Sequence, residues 1–213
     1  MNIPEDVIES AKHSYAHKGW EGVEKPLAEQ FLQPMRNSAE WVEKSLQMVN
    51  RLYRTRVGRQ EITEAAPGIA RVPIIGDPSD DTALSQQIHT VASSFTKYKY
   101  RLSLASKFLH FCHPIFVPPF DKYAYTALCF SEAGRKGGLR WDNHPRSSKE
   151  IETWLLAFRY FHKQHESLCG RIRGEIIKSI IPSKASALAE RAITPLKVCD
   201  TILWMWGGGG SDA

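Results

Sequence analysis

Ser103-Leu-Ala-Ser-Lys-Phe-Leu-His-Phe-Cys-His-Pro-Ile-Phe-Val-Pro-Pro-Phe-Asp-Lys-Tyr-Ala-Tyr-Thr-Ala-Leu128 is the stretch on which the fold turns. It follows a tight basic connector, Lys97-Tyr-Lys-Tyr-Arg101, and opens a helix with the small residues Ser103, Ala105 and Ser106. Lys107 is expected in the first turn of that helix, where an ammonium opposes the positive end of the helix dipole. A residue that breaks a local rule is a candidate for function. Pro114 ends the helix at Cys112 or His113, a proline-rich crossing follows, and Asp121 is placed to cap a further helix over 122–130.

Outward from this stretch, helical spacing of apolar residues predominates. On the N-terminal side, Leu84, Ile88, Val91, Ala92 and Phe95 mark a helix over 82–96. Residues 38–57 carry Trp41, Val42, Leu46, Val49 and Tyr53 behind a capping Ser38, and 4–18 begin with Pro4, Glu5 and Asp6, which suit a helix start. A short helix is expected from Pro26 to Phe31. On the C-terminal side, helices are expected over 148–168, 171–181 and 183–193, and in a last one capped by Thr194 with Pro195 in its first turn. Residues 65–81, rich in proline and glycine, read as a connector and a seam between two helical lobes. Gly134 to Pro145 reads as a flexible basic loop, and 207–213 as a flexible tail after a single domain over 1–206. The expected class is all-α.

The 213 residues are 42% hydrophobic, enough for a core, and the formal charge of +5 suits a polyanionic partner. Cys112, Cys129, Cys169 and Cys199 form no CxxC pair, and His110, Cys112 and His113 match no zinc spacing, so no metal is expected. The four cysteines read as reduced thiols of a cytoplasmic protein. No secretory leader and no membrane span is expected.

The order helix, tight connector, lysine-bearing helix, apolar crossing and aspartate at a helix start resembles the helix-hairpin-helix DNA glycosylase superfamily over roughly residues 82–130. Ser103-Leu-Ala-Ser-Lys107 takes the place of that family's G-x-G-x-K, with small residues in place of both hairpin glycines. Lys107 and Asp121 are separated by about one helical turn less than in the family pattern. The resemblance implies a helix-hairpin-helix glycosylase-like fold of two closely packed lobes, acting without a cofactor on double-stranded DNA as a monomer. A damaged or modified base would be excised, with or without lyase action. Lys107 would be the nucleophile and Asp121 its assistant. Lys97, Lys99, Arg101, Ser103 and Ala105 would contact DNA. Asp200 and Trp204, at i and i+4 of the last helix, would face the extruded base. The absence of four clustered cysteines near the C-terminus removes the iron–sulfur loop of some relatives.

Alternatives stay open. Lys107 also reads as a snorkelling surface lysine, Asp121 as a helix cap alone, and Trp204 as core. Arg159-Tyr-Phe-His-Lys-Gln-His165 matches the spacing of HEPN-like helical ribonucleases of toxin and defence systems, with Arg159 and His165 as the active pair. A glycosylase-like scaffold that binds DNA without cleaving anything is the third alternative.

Overall fold

A computed structural model describes residues 3–32, 38–72, 80–95, 100–180 and 186–209. The regular elements among the described residues are all helices, with no strand among them, as the apolar periodicity predicts. No helix among them is long and apolar enough to cross a membrane. The elements are α1 (Glu5–Ser14), a π-helical segment (Tyr15–Glu24), α2 (Lys25–Phe31), α3 (Ala39–Leu52), α4 (Arg59–Ile69), α5 (Asp81–Ser93), α6 (Leu102–Cys112), α7 (Lys122–Phe130), α8 (Glu132–Lys136), α9 (Ser148–Gln164), α10 (Glu166–Ile180), α11 (Ser186–Ala192) and α12 (Pro195–Trp206).

Caps set most of the helix starts. Ser38, Asp121 and Thr194 each accept a first-turn N–H, and Ser147 and Glu150 form a capping box at α9. Four expectations are corrected. The connector expected from residue 65 begins later, because α4 runs on through Pro67 and Gly68 to Ile69. Both lie on its exposed side, while Ile62, Ala65, Ala66 and Ile69 bury at helical spacing, and that burial outweighs the lost proline N–H. The first helix stops at Ser14 and rewinds as the π-helical segment. The loop expected from Gly134 is partly α8, and the Tyr125 hydroxyl donates to the carbonyls of Arg140 and Asn143, pinning the chain between α8 and α9. Finally, Gly207–Gly209 pack instead of trailing. A Cβ at Gly207 would overlap the Tyr123 backbone, one at Gly209 would overlap the Trp204 ring, and the Gly209 N–H donates to Trp204 O at 2.9 Å.

The core is continuous. Phe31 of α2 meets Trp41 of α3 at 5.1 Å between ring centroids, and Phe108 and Phe111 of α6 at 5.6 and 5.4 Å, so one aromatic cluster locks three helices together. The ends of α12 and α7 are held close by the missing side chain of Gly207, and α5 packs along α9. Arg101, just before α6, grips the buried Glu61 of α4 with two hydrogen bonds of 2.8 Å.

Candidate functional site

The crossing between α6 and α7 is fixed at three points by polar groups that the sequence places for that purpose. Ser106 Oγ accepts the Phe120 N–H at 2.8 Å. The ring Nδ1–H of His110 donates to Val117 O at 2.7 Å, and the Thr194 hydroxyl donates to Pro114 O at 3.0 Å. Burial pushes the His110 pKa down to about 3, so the ring is neutral and the crossing carries no charge there. With its path so held, the crossing delivers Asp121 to the side of α6 that carries Lys107.

Lys107 is 5% exposed and lies in the second turn of α6, a correction to the first-turn expectation, because the helix already starts at Leu102. Its Nζ donates to Ser103 Oγ at 2.9 Å and lies 3.5 Å from Asp121 Oδ2, with the Tyr53 ring centroid 5.1 Å away. The other Asp121 oxygen accepts the Tyr123 N–H at 2.9 Å, so one carboxylate both caps α7 and faces the amine. Burial lowers the Lys107 pKa, Asp121 and Asp200 work against that shift, and Lys197 adds to it. The surface-lysine alternative is therefore set aside.

Two cavities meet at this pair. A groove of about 690 Å³ is lined by the cationic side chains Arg54, Arg101, Lys107, Lys122 and Arg146, with His144 among them. A narrower pocket of about 290 Å³ is lined by Tyr15, Glu24, Tyr53, Lys197, Asp200 and Trp204, among others. Tyr53, Arg54, Lys107 and Asp121 line both. The first turn of α6 borders the groove, and Arg101 at its N-terminus makes no side-chain cap. Arg54, on the groove wall, holds a left-handed φ of 51°, and Arg56 one of 58°, strain of the kind that gathers at working sites.

Sequence reasoning placed Lys107, Asp121, Asp200 and Trp204, and the structure brings all four to one pocket. Ser103 lines the groove, and its hydroxyl serves Lys107. Arg101 reaches the groove too, with its guanidinium already engaged by Glu61. Ala105 is fully buried and its N–H is bonded to Arg101 O, which removes it from any phosphate contact. Lys97 and Lys99 lie outside the described residues. Arg159 is bound to Asp81 at 2.6 Å and also reaches Phe116 O. His165 caps the end of α9 with its ring 4.5 Å from that of Phe161. Arg159 therefore acts as a tie between α9 and α5.

Glu24, Tyr53 and Lys197 were missed. Lys197 is 6% exposed, lies 3.2 Å from Asp200 Oδ2 and 3.7 Å from Glu24 Oε1, and has the Tyr53 ring centroid 5.3 Å away. The Tyr53 hydroxyl donates to Glu24 Oε1 at 2.6 Å. Burial works against the Lys197 charge, but Tyr53, Asp200 and Glu24 outweigh it and hold the pKa well above the ordinary lysine value. Burial raises Asp200 to about 6, with Lys197 opposing and Asp121 adding. A visible signal existed for one of them: Lys197 and Asp200 are an i,i+3 charge pair inside an otherwise apolar helix. The described residues contain no cluster of His, Cys, Asp and Glu able to hold a metal ion, and no disulfide joins the cysteines.

Comparison of the chain with protein-family models, with curated proteins and with solved structures finds no match.

Proposed function

We propose that this protein is a helix-hairpin-helix glycosylase-like enzyme that excises a damaged or modified base from double-stranded DNA, with Lys107 as nucleophile and Asp121 as its partner. The observation that carries it is the buried Lys107 amine, 3.5 Å from Asp121 Oδ2, where a basic groove opens into an aromatic-lined pocket. The groove suits a phosphate backbone, since cations displace condensed counterions and a helix N-terminus accepts an anion. The pocket is of a size for one planar ring beside Tyr53 and Trp204, which fits a base taken out of the stack.

The chemistry follows from the amine. With Nζ unprotonated, its lone pair forms a bond to the sugar C1′. The glycosidic C–N bond breaks with its electron pair going to the base, which takes up a proton. The new ammonium passes a proton to Asp121 or to water; the nitrogen lone pair then forms C1′=N as the C1′–O4′ bond breaks, and O4′ takes that bond's electron pair and a proton, leaving a protonated Schiff base. Burial lowers the cost of unprotonating Lys107, and Asp121, 3.5 Å from the attacking nitrogen, is near enough to stabilise positive charge that develops on the sugar. A monomer suffices for this, since one chain supplies groove, pocket and amine.

The test is borohydride trapping on duplex DNA carrying an abasic site, wild type against Lys107→Gln. A covalent adduct made by wild type and lost in the variant is the expected result. DNA binding without any adduct would instead leave a non-catalytic scaffold or a water-activating Asp121.

A further inference from the structure

Two residues that line the pocket carry acceptors that no group among the described residues satisfies. Glu24 and Asp200 are 4% and 5% exposed, and both line the pocket. Each commits one carboxylate oxygen to the network around Lys197, Glu24 Oε1 to Tyr53 and Asp200 Oδ2 to Lys197 itself. The other two oxygens, Glu24 Oε2 and Asp200 Oδ1, are buried with no hydrogen-bond partner among the described residues. A buried acceptor left unpaired keeps its full desolvation penalty, which is larger for a charged group. Two of them, on residues that line one cavity from the end of the π-helical segment and from α12, mark a place that a ligand completes.

The chemistry of the missing partner follows from the donor and acceptor inventory. The floor offers two carboxylate acceptors and one ammonium, that of Lys197, with three donor hydrogens. An adenine edge presents one donor beside one acceptor. A cytosine edge presents one donor beside two acceptors, and a thymine edge a single donor between two acceptors. A guanine edge alone presents adjacent donors, N1–H and the exocyclic amino group, beside one acceptor, O6. Resting on base excision at Lys107, we propose that the pocket selects a guanine-derived base: its two donors face Asp200 and Glu24, and its O6 faces Lys197. Tyr53 and Trp204 supply aromatic surface against the ring.

Selection of this kind is steep, because a base lacking a donor leaves a buried carboxylate unpaired in the complex as well as before it. The exocyclic amino group is the deciding feature, since hypoxanthine-type bases keep N1–H and O6 and lose only that group.

The experiment uses the Lys107→Gln protein, which binds without turnover. Its probes are short duplexes carrying 8-oxoguanine, 8-oxohypoxanthine or 8-oxoadenine at one position. The 8-oxoguanine duplex is expected to bind at least about tenfold more tightly than either of the others. That ratio is expected to collapse towards one when Asp200→Asn or Glu24→Gln is added, since an amide exchanges one acceptor for a donor. A purely structural role for these residues would lower all three affinities together and keep the ratio. Thermal melting of each variant identifies any that fails to fold, and the isosteric Glu24→Gln is the second route if Asp200→Asn does. Equal affinities, or a ratio that survives both substitutions, would overturn the assignment. A wild-type borohydride adduct on abasic DNA, which carries no base, reports the amine chemistry separately. An adduct without guanine preference removes this assignment and keeps the excision chemistry. Guanine preference without an adduct does the reverse.

Discussion

The Lys107 amine and the Asp121 carboxylate approach to 3.5 Å across the α6–α7 crossing, although fourteen positions separate them in the chain, and the same carboxylate holds the first turn of α7. The two duties of Asp121 are carried by different oxygens, so they can be separated by substitution.

Asp121→Asn keeps a side-chain oxygen able to cap α7 and removes the charge. Asparagine caps about as well as aspartate, so the capping contribution to stability is expected to change by less than about 1 kcal/mol. Single-turnover adduct formation on abasic DNA is expected to fall by about a hundredfold or more. Equal loss of stability and rate would mean that capping is the whole of its role.

Adduct formation is expected to rise with pH as Lys107 loses its proton. Because burial holds its pKa below the ordinary 10.5, the rising limb belongs below that value. Asp121 opposes the shift, so Asp121→Asn moves the limb further down. A rate profile from pH 6 to 10 in both proteins checks this. A limb centred at the ordinary lysine value would point to an exposed amine.

Arg101 and Glu61 form a two-point contact between the start of α6 and α4, with Glu61 8% exposed. Removing the arginine leaves a buried carboxylate unpaired, so Arg101→Ala is expected to cost roughly 3 kcal/mol. Replacing both residues is expected to cost less than the sum of the single changes, which urea unfolding in a double-mutant cycle would register.

Lys122 and Arg146 are exposed cations on the groove wall. Each, changed to alanine, is expected to reduce the slope of log affinity against log salt for duplex DNA by about 1. The slope would stay fixed if the backbone ran elsewhere.

His110 is neutral and buried, with a folded pKa of about 3 against an ordinary 6.5. A depressed histidine contributes stability that is present above pH 6.5 and is lost as pH falls towards 3. His110→Gln is therefore expected to unfold more easily at pH 7.5, yet to show a flatter decline of stability below pH 6.5. Urea melts at a series of pH values measure both.

Local rules carried much of the architecture. Ser38, Asp121 and Thr194 marked helix starts because a short acceptor beside an apolar periodic run has few other uses there. They misled at Pro67, where a proline in the last helical turn, turned to solvent, ends nothing. Lys107 and Asp121 were marked as candidates by the order of elements, and Asp200 and Trp204 by their i,i+4 spacing in the last helix. Glu24 and Tyr53 were not. Each looks like an ordinary helix residue in sequence, and what joins them to Lys197 is packing between segments that lie far apart in the chain. The π-helical winding that places Glu24 has no local sequence signature in this chain.

That winding has a consequence for how the gene can vary. A π-helical stretch stores extra backbone relative to an α-helix of the same height. Deleting one codon between Tyr15 and Glu24 would let the segment relax towards α-helical winding and rotate Glu24 relative to Tyr15, which holds its place through the Thr201 hydroxyl. The ten-residue segment is thus a length gauge. Insertions and deletions within it are felt at the far side of the pocket, in the alignment of the Glu24 carboxylate.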